Sequence, residues 1–395
     1  MRIGPNEVHF NNLAALKTIY GAGSGFERHS FYRMFDAYGR QNLFTFAESK
    51  PHSDRKKLLN HAYSKTTMMK GDVASLVEEK VRQYLRLLDR KPSKTSEIFS
   101  SLHYFAIDSI TAFLYGHKYG ATKALRGSTT DQALLIDIMD HSRKRLSWFA
   151  VHFPRYTKWL YTRTGFLEKI ITRLRLFPMA KPSTYSGIRA HALQAFYSFK
   201  AAPVEEKEEL AKTTIIGRLW THQQSEKGGQ LDDLDIASEC ADHLLAGIDT
   251  TSDSLMFLLW ALSRSENKKY QDKLISEVAE LDESSLVEGG IPSVVASDRL
   301  PYLAAIVKET LRLYNPLPAS EPRDLPVSSL IAGYEIPAKT VVGMSPFSLH
   351  RNPHVFPEPL QFDPERWLRD SSDLTEMNRW WWAFSSGGRM CIGLQ

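Results

Sequence analysis

Apolar residues recur every three or four positions through most of the chain before Pro316, the spacing of one face of an α-helix. The runs HSDRKKLLNHAYS (His52–Ser64), DVASLVEEKVRQYLRLLD (Asp72–Asp89) and SSLHYFAIDSITAFLYG (Ser100–Gly116) are predicted as helices, the last ending on a glycine. A longer run, Leu231–Arg264, starts with acidic residues that suit a helix N-terminus and predicts a rod of roughly 50 Å at ~1.5 Å per residue. Another, Leu300–Pro316, is helical until its proline. The alternation changes at the two ends of the chain. RIGPNEVHF, around a Gly-Pro break, predicts a short strand pair or a strand plus turn, and LIAGYEIPAKTVVGMSPF (Leu330–Phe347) alternates as a small sheet. The two prolines of Leu176–Gly187 predict a loop over a site or merely a corner, and Ser225–Gln230 a turn. The pattern gives a mainly α fold with a small β part, without internal repeats.

Composition narrows the function more than the fold. Hydrophobic residues make up 43% of 395 and charged residues 24%, enough apolar material for a large core. The net charge of +5 is spread along the chain, which disfavours a nucleic-acid binder with a concentrated basic stripe. No window approaches eighteen uninterrupted apolar residues, and the start lacks a secretory pattern. Two cysteines, Cys240 and Cys391, exclude a disulfide scaffold or a four-cysteine zinc site and point to a reducing compartment. Cys240 lies in a helical, apolar stretch and reads as a small core residue.

Cys391 is different, because it lies in FSSGGRMCIGLQ (Phe384–Gln395), among three glycines and beside an arginine. Gly387 and Gly388 allow the loop to curl until backbone N–H groups point at the sulfur, and CIGLQ is expected to open a helix whose positive end faces it. Both features are expected to lower the thiol pKa and favour the thiolate, the metal-binding form. Arg389 would aim at an anionic group beside the metal, and Phe384 would wall the sulfur with an apolar ring. The bland alternative is a buried structural cysteine in a glycine turn.

Phe384, Gly387, Arg389, Cys391 and Gly393 fill every fixed position of F-x-x-G-x-R-x-C-x-G, and this segment resembles the haem-thiolate loop of the cytochrome P-450 monooxygenases. The resemblance extends from RIGPNEVHF to Gly393 and implies a helix-rich cytochrome P-450 fold, read as one haem-binding domain over residues 1–395. It implies haem b with Cys391 as the axial thiolate. In AGIDTT (Ala246–Thr251), the glycine Gly247 would admit a flat ligand, and Thr250 would loosen the helix locally to open a groove. The family's acid-threonine pair maps onto Asp249 and Thr250, with roles in proton delivery; read alone they are a solvated acid and a packing threonine.

The resemblance also implies supports. Glu309 and Arg312, three apart on a helix, would be clamped by Arg366 of FDPERW; the ordinary fate of such spacing is a solvent-facing ion pair. Arg323 is expected at a haem propionate. His52 matches the helix that also meets the propionates, but the arginine expected four residues later is Lys56, with Arg55 just before it; lysine lacks the planar fork. Arg40–Lys50, the helix near Ala246 and Leu317–Ser320 are expected to line a pocket for a small lipophilic substrate, a secondary metabolite or xenobiotic. Electrons would come from an NADPH-dependent reductase, with O2 as co-substrate. An N-terminal anchor and hinge, and a helix with final strands after Gln395, are expected to be missing, with the intact product on the endoplasmic reticulum membrane and this chain holding haem weakly. Two other readings remain at this stage: a haem-thiolate isomerase or dehydratase, and a non-catalytic truncated product.

Overall fold

A computed structural model describes residues 1–90, 95–139, 153, 166, 170, 173–174, 186–225, 231–369 and 372–394. The loop expected at Leu176–Gly187 and the turn at Ser225–Gln230 lie almost wholly outside them. The helices of eight or more residues are α1 (Leu13–Tyr20), α2 (Ser49–Asn60), α3 (Gly71–Asp89), α4 (Ile98–Tyr119), α5 (Ser186–Lys200), α6 (Val204–Thr213), α7 (Ile215–Gln224), α8 (Asp233–Ser263), α9 (Lys268–Ala279), α10 (Pro301–Leu313) and α11 (Ser372–Trp380). The expected helices correspond to α2, α3, α4, α8 and α10, and Gly116 is the one non-helical residue inside α4.

The chain forms two compact units. The first comprises Met1–Tyr32, Phe46–Ser109 and Thr250–Gln395, and it carries the sheets. Strands β1 (Arg2–Gly4), β2 (Glu7–His9) and β3 (Glu27–Arg28) join β6 (Arg323–Asp324) and β9 (Val341–Gly343) in the order β1-β2-β9-β6-β3. β4 (Leu286–Val287) with β5 (Ile291–Pro292), and β7 (Ser329–Ile331) with β8 (Tyr334–Ile336), form two-stranded ribbons. Of the two N-terminal readings the strand pair is the one present, and β2 also runs parallel to β9 with Val8 opposite Val342, joining the two β-forming parts of the sequence. Beneath this sheet Leu16, Ile19, Val342, Met344, Phe356, Trp367 and Trp382 form one core. Helix α1 starts at Asn12, whose side chain accepts the Ala15 N–H at 2.8 Å. Helix α10 starts at Pro301, and the Glu277 carboxylate takes the Tyr302 and Leu303 N–H groups at 2.7 and 2.9 Å, satisfying donors that a helix leaves open at its start.

The second unit comprises Arg33–Thr45 and Ile110–Asp249 and is helical. Here Thr214 ends α6 and caps α7, its hydroxyl accepting the Gly217 N–H. Gly247, where the sequence suggested close approach of a flat ligand, has a packing role of its own. A Cβ at this position would stand 2.7 Å from Ile110 Cγ1, so close packing on α4 explains the glycine. Helix α8 runs unbroken from Asp233 to Ser263, so the loosening expected at Thr250 is not a break in the helix. Cys240 is fully buried, as a core residue should be.

Candidate functional site

In the first unit α10 builds the framework for the cysteine loop. Glu309 is fully buried, and five donors converge on its carboxylate: Arg312 Nη2 at 2.8 Å, Arg366 Nε at 3.2 Å and the Asp363 N–H at 3.0 Å on Oε1, with Arg312 Nε at 2.8 Å and Trp367 Nε1 at 2.9 Å on Oε2. The arginines then donate to the carbonyls of His350, Pro357, Pro359 and Gln361, which fixes the irregular chain leading towards α11. A solvent-facing pair is excluded by that burial, and every ionic oxygen has its hydrogen bonds. Trp367 and Asp363 were not anticipated from sequence; the indole donor three residues after Pro364 was the available signal.

The loop after α11 closes on itself, with the Cys391 N–H donating to the Phe384 carbonyl at 2.9 Å. Gly387 has φ +62°, and a Cβ there would lie 2.3 Å from the Tyr20 carbonyl oxygen, so only glycine lets the loop rest on the end of α1. Phe384 packs on Trp381, ring centres 5.7 Å apart. Lys56 on α2 donates from Nζ to the carbonyls of Gly388 (3.1 Å) and Met390 (2.6 Å), so this lysine grips the loop itself. Arg389 donates to the Phe46 carbonyl at 2.7 Å and to that of Ala47 at 2.5 Å.

Ile392 and Gly393 form a turn. One sequence expectation for the thiol needs correction: the Cys391 thiol is pushed up, not down. Although the residue as a whole is exposed, the loop crowds its sulfur, and this loss of water outweighs the Gly393 N–H and the Lys56 ammonium, which pull the other way. A thiolate at this position therefore needs a further positive charge at the sulfur, which a bound metal would supply.

Beside the loop lies a hollow of about 410 Å³, lined by the end of α1, by His52 and Lys56 of α2, and by Arg323, Ser386 and Arg389. The structure thus brings together four of the residues expected to bind the cofactor. Arg28, which the sequence reading missed, does not line the hollow but lies close to its cations: β3 and β6 are antiparallel, Arg28 is the register partner of Arg323, and its charge acts on His52 and Arg389. Arg323 donates to Tyr32 Oη at 3.1 Å and to Glu321 Oε2 at 3.3 Å, and its guanidinium lies 4.8 Å from the Tyr20 ring centre. Burial, followed by the charges of Arg389, Arg28 and Lys56, pushes His52 down to about 2. Burial and then the Arg28 and Arg323 guanidiniums push Arg389 down as well. So much clustered positive charge, with Glu321 and Glu27 acting against it, fits a ligand that brings carboxylates. With a sulfur donor on the adjoining loop, the residues fit an iron porphyrin.

Asp249 and Thr250 are half-buried neighbours midway along α8, where Ser254 Oγ donates to the Thr250 carbonyl at 2.7 Å. In the second unit, residues 40–44 are strapped along the first half of α8. Ser238 Oγ donates to the Arg40 carbonyl at 3.0 Å, the Leu43 N–H to Glu239 Oε1 at 3.2 Å and the Phe44 N–H to Asp242 Oδ2 at 3.3 Å. His243 shares Glu239 Oε1 at 3.1 Å, so Glu239, Asp242 and His243 read as an anchor for this strap. Among the described residues no helix is long and apolar enough to cross a membrane.

The family model described as cytochrome P450 matches residues 3–395. The chain is 29% identical to cytochrome P450 monooxygenase aflV of Aspergillus parasiticus, over 99% of this chain and 73% of that protein. It is 26% identical to cytochrome P450 monooxygenase orf2 of Aspergillus niger, over 100% of this chain and 74% of that protein. Among solved structures, the retinoic acid bound cyanobacterial CYP120A1 superposes with a TM-score of 0.72 at 16% identity, covering 98% of this chain and 78% of that one. The heme domain of cytochrome P450DA gives 0.70 at 16% identity over 99% and 77%. At that identity the likeness is one of fold.

Proposed function

The chain belongs to the cytochrome P450 family, and from that premise we propose that residues 1–395 act as one haem-binding domain that inserts one atom of O2 into a small lipophilic substrate, with electrons from a separate reductase. Its curated fungal relatives are monooxygenases, and this chain is an oxidoreductase of that kind. The proposal extends to the residues. Cys391 would hold the haem iron through Sγ, and Arg323, Arg389, Arg28 and His52 would receive the haem carboxylates. When bound, haem supplies the redox chemistry by which O2 is activated and one of its atoms transferred, the thiolate ligand favouring O–O cleavage.

The protein's own part is positioning and proton handling. Glu309, Arg312 and Arg366 hold the chain that leads to the cysteine loop, and Lys56 holds the loop's carbonyls. Phe384 keeps an apolar ring on the loop. In this reading Asp249 takes protons at its carboxylate oxygens and Thr250 passes them on through Oγ1. Attachment to the endoplasmic reticulum membrane, and a secondary metabolite or xenobiotic as substrate, belong to the proposal too.

The observation that carries the reading is the closed loop from Phe384 to Cys391 beside a hollow ringed by cations. The test is the carbon monoxide complex of the reduced, haem-loaded chain. The expected result is the strongly red-shifted Soret band of a thiolate-ligated haem, abolished in Cys391→Ser; a shifted band that survives this substitution refutes the assignment. Product formation that depends on added reductase then separates oxygen insertion from isomerase or dehydratase chemistry.

A further inference from the structure

His350 is completely buried and uses both ring nitrogens. Nε2 accepts the backbone N–H of Trp382 at 2.7 Å, and Nδ1 lies 3.0 Å from the carbonyl oxygen of Arg312. Because Trp382 N–H is a donor, Nε2 must offer a lone pair, so the single proton sits on Nδ1 and is donated to Arg312. The contact is reciprocal, since Arg312 Nη1 donates to the His350 carbonyl at 2.8 Å. Burial holds the imidazole neutral, pushing it down to about 3. An imidazolium would set a second N–H against that of Trp382.

The two ends of this bridge matter. Arg312 belongs to the cluster around Glu309. Trp382 stands two residues before Phe384, whose carbonyl receives the Cys391 N–H. The Trp382 indole donates to Ser386 Oγ at 3.0 Å and its ring meets Tyr20 edge-on, with centres 4.7 Å apart, so Trp382 also touches the far side of the loop. Along the chain the cluster connects with the loop only through the segment from Arg366 to Trp382. Through His350 the connection is one side chain long.

We propose that His350 is a positioning residue that carries the order of the Glu309, Arg312 and Arg366 cluster directly to the cysteine loop, setting the Phe384 carbonyl against which Cys391 is fixed. The inference rests on the reading of Cys391 as the haem ligand. Its consequence is that removing the bridge loosens the thiolate ligand although Cys391, the residues lining the hollow, Glu309, Arg312 and Arg366 are all left unsubstituted.

The experiment compares the chain with its His350→Phe and His350→Gln variants, at matched haem content, in the reduced carbon monoxide complex. Phenylalanine removes both hydrogen bonds, whereas glutamine retains an acceptor for Trp382. His350→Phe is expected to shift most of the absorbance from the thiolate-type band to an unshifted band, with His350→Gln retaining most of the former. Hydrogen exchange at the Trp382 amide should speed up roughly tenfold in His350→Phe, as for the loss of one buried hydrogen bond, and much less in His350→Gln. Wild-type band ratios together with wild-type Trp382 protection in His350→Phe overturn the proposal. Should His350→Phe fail to fold, 15N-histidine resonances of the unaltered chain decide: the Nδ1-protonated tautomer is required, and an Nε2-protonated His350 overturns the proposal. If the unaltered chain shows no thiolate band, the ligand assignment fails, while the tautomer and the Trp382 exchange still decide the bridge.

Discussion

Arg28 and Arg323 stand directly opposite one another in the antiparallel pair of β3 and β6, and both are buried. Like charges at such a position repel and ordinarily destabilise a strand pair. Both guanidiniums lie over the Tyr32 ring, at 5.0 and 5.8 Å from its centre, and Glu321 reaches Arg323 from one side. Aromatic faces and one carboxylate reduce the repulsion, and a dianionic ligand would turn it into attraction. Arg323 of this pair lines the hollow, so the pair bears on what the hollow receives.

The first prediction follows from that pair. Arg28→Met removes one cation and retains the apolar stem over Tyr32. Haem affinity should fall by roughly tenfold or more, as for a hydrogen bond to a charged group worth about 1.5–3 kcal/mol. The melting temperature of the haem-free chain should change little, because lost repulsion offsets the lost stacking. Haem titration and thermal unfolding measure the two sides; equal haem affinity in the variant counts against the hollow as the carboxylate site.

Glu309 sets a second expectation. Its carboxylate collects five donors in a site from which water is excluded, so Glu309→Ala leaves Arg312 and Arg366 buried without their anion. Breaking a buried ion pair from one side costs about 3–5 kcal/mol. Urea unfolding should show that loss, and Glu309→Gln should fall in between, because it retains an acceptor oxygen but not the charge. A loss below about 1 kcal/mol in the alanine variant would reduce the cluster to the status of a surface pair.

Lys56 leads to a third. The ammonium holds the Gly388 and Met390 carbonyls and draws the Cys391 thiol pKa downwards against the effect of burial. In Lys56→Met the thiol should rise further, so less thiolate is present at a given pH. Alkylation of the metal-free chain at pH 8 should slow several-fold at Cys391 if thiolate fraction governs the rate. Cys240, being fully buried, is expected to react on a separate, slower timescale. Faster alkylation in the variant would mean that Lys56 acts mainly by shielding the sulfur.

These residues also mark how far the sequence could be read. The helices α3, α8 and α10 were legible because their apolar spacing is local, and the Glu309, Arg312 and Arg366 set because a motif brings its third member. The cysteine loop was legible for the same reason. Arg28 was not, since a two-residue strand has no period to detect and its meaning comes from pairing with a residue 295 positions later. That Lys56 reaches the Gly388 and Met390 carbonyls was not legible, because a basic residue on a helix does not announce whether it will meet a backbone carbonyl. The thiol's direction was misjudged because glycine N–H groups and a helix end were expected to act without the opposing effect of burial. His350 carried no sequence signal, since its two partners are backbone atoms.

His52 provides the last prediction, in which acid and ligand act against each other. Its imidazole is held neutral in the fold, down to about 2, by burial and by the charges of Arg389, Arg28 and Lys56, whereas in the unfolded chain it returns to about 6.5. The folded pKa is depressed, so the stabilisation is fully present above about pH 6.5 and is lost progressively as the pH falls towards the folded value, because the unfolded state takes up the proton first. His350, down to about 3, acts in the same sense. The haem-free chain should therefore lose stability steadily below about pH 6.5, and His52→Gln should flatten part of that slope. Carboxylates bound beside His52 would favour its charged form and raise its pKa, so haem loading should flatten the same part in the unsubstituted chain and add nothing in His52→Gln. Melting temperatures across pH 4–7.5, with and without haem, measure both effects; a slope unchanged by haem would place the carboxylates away from His52.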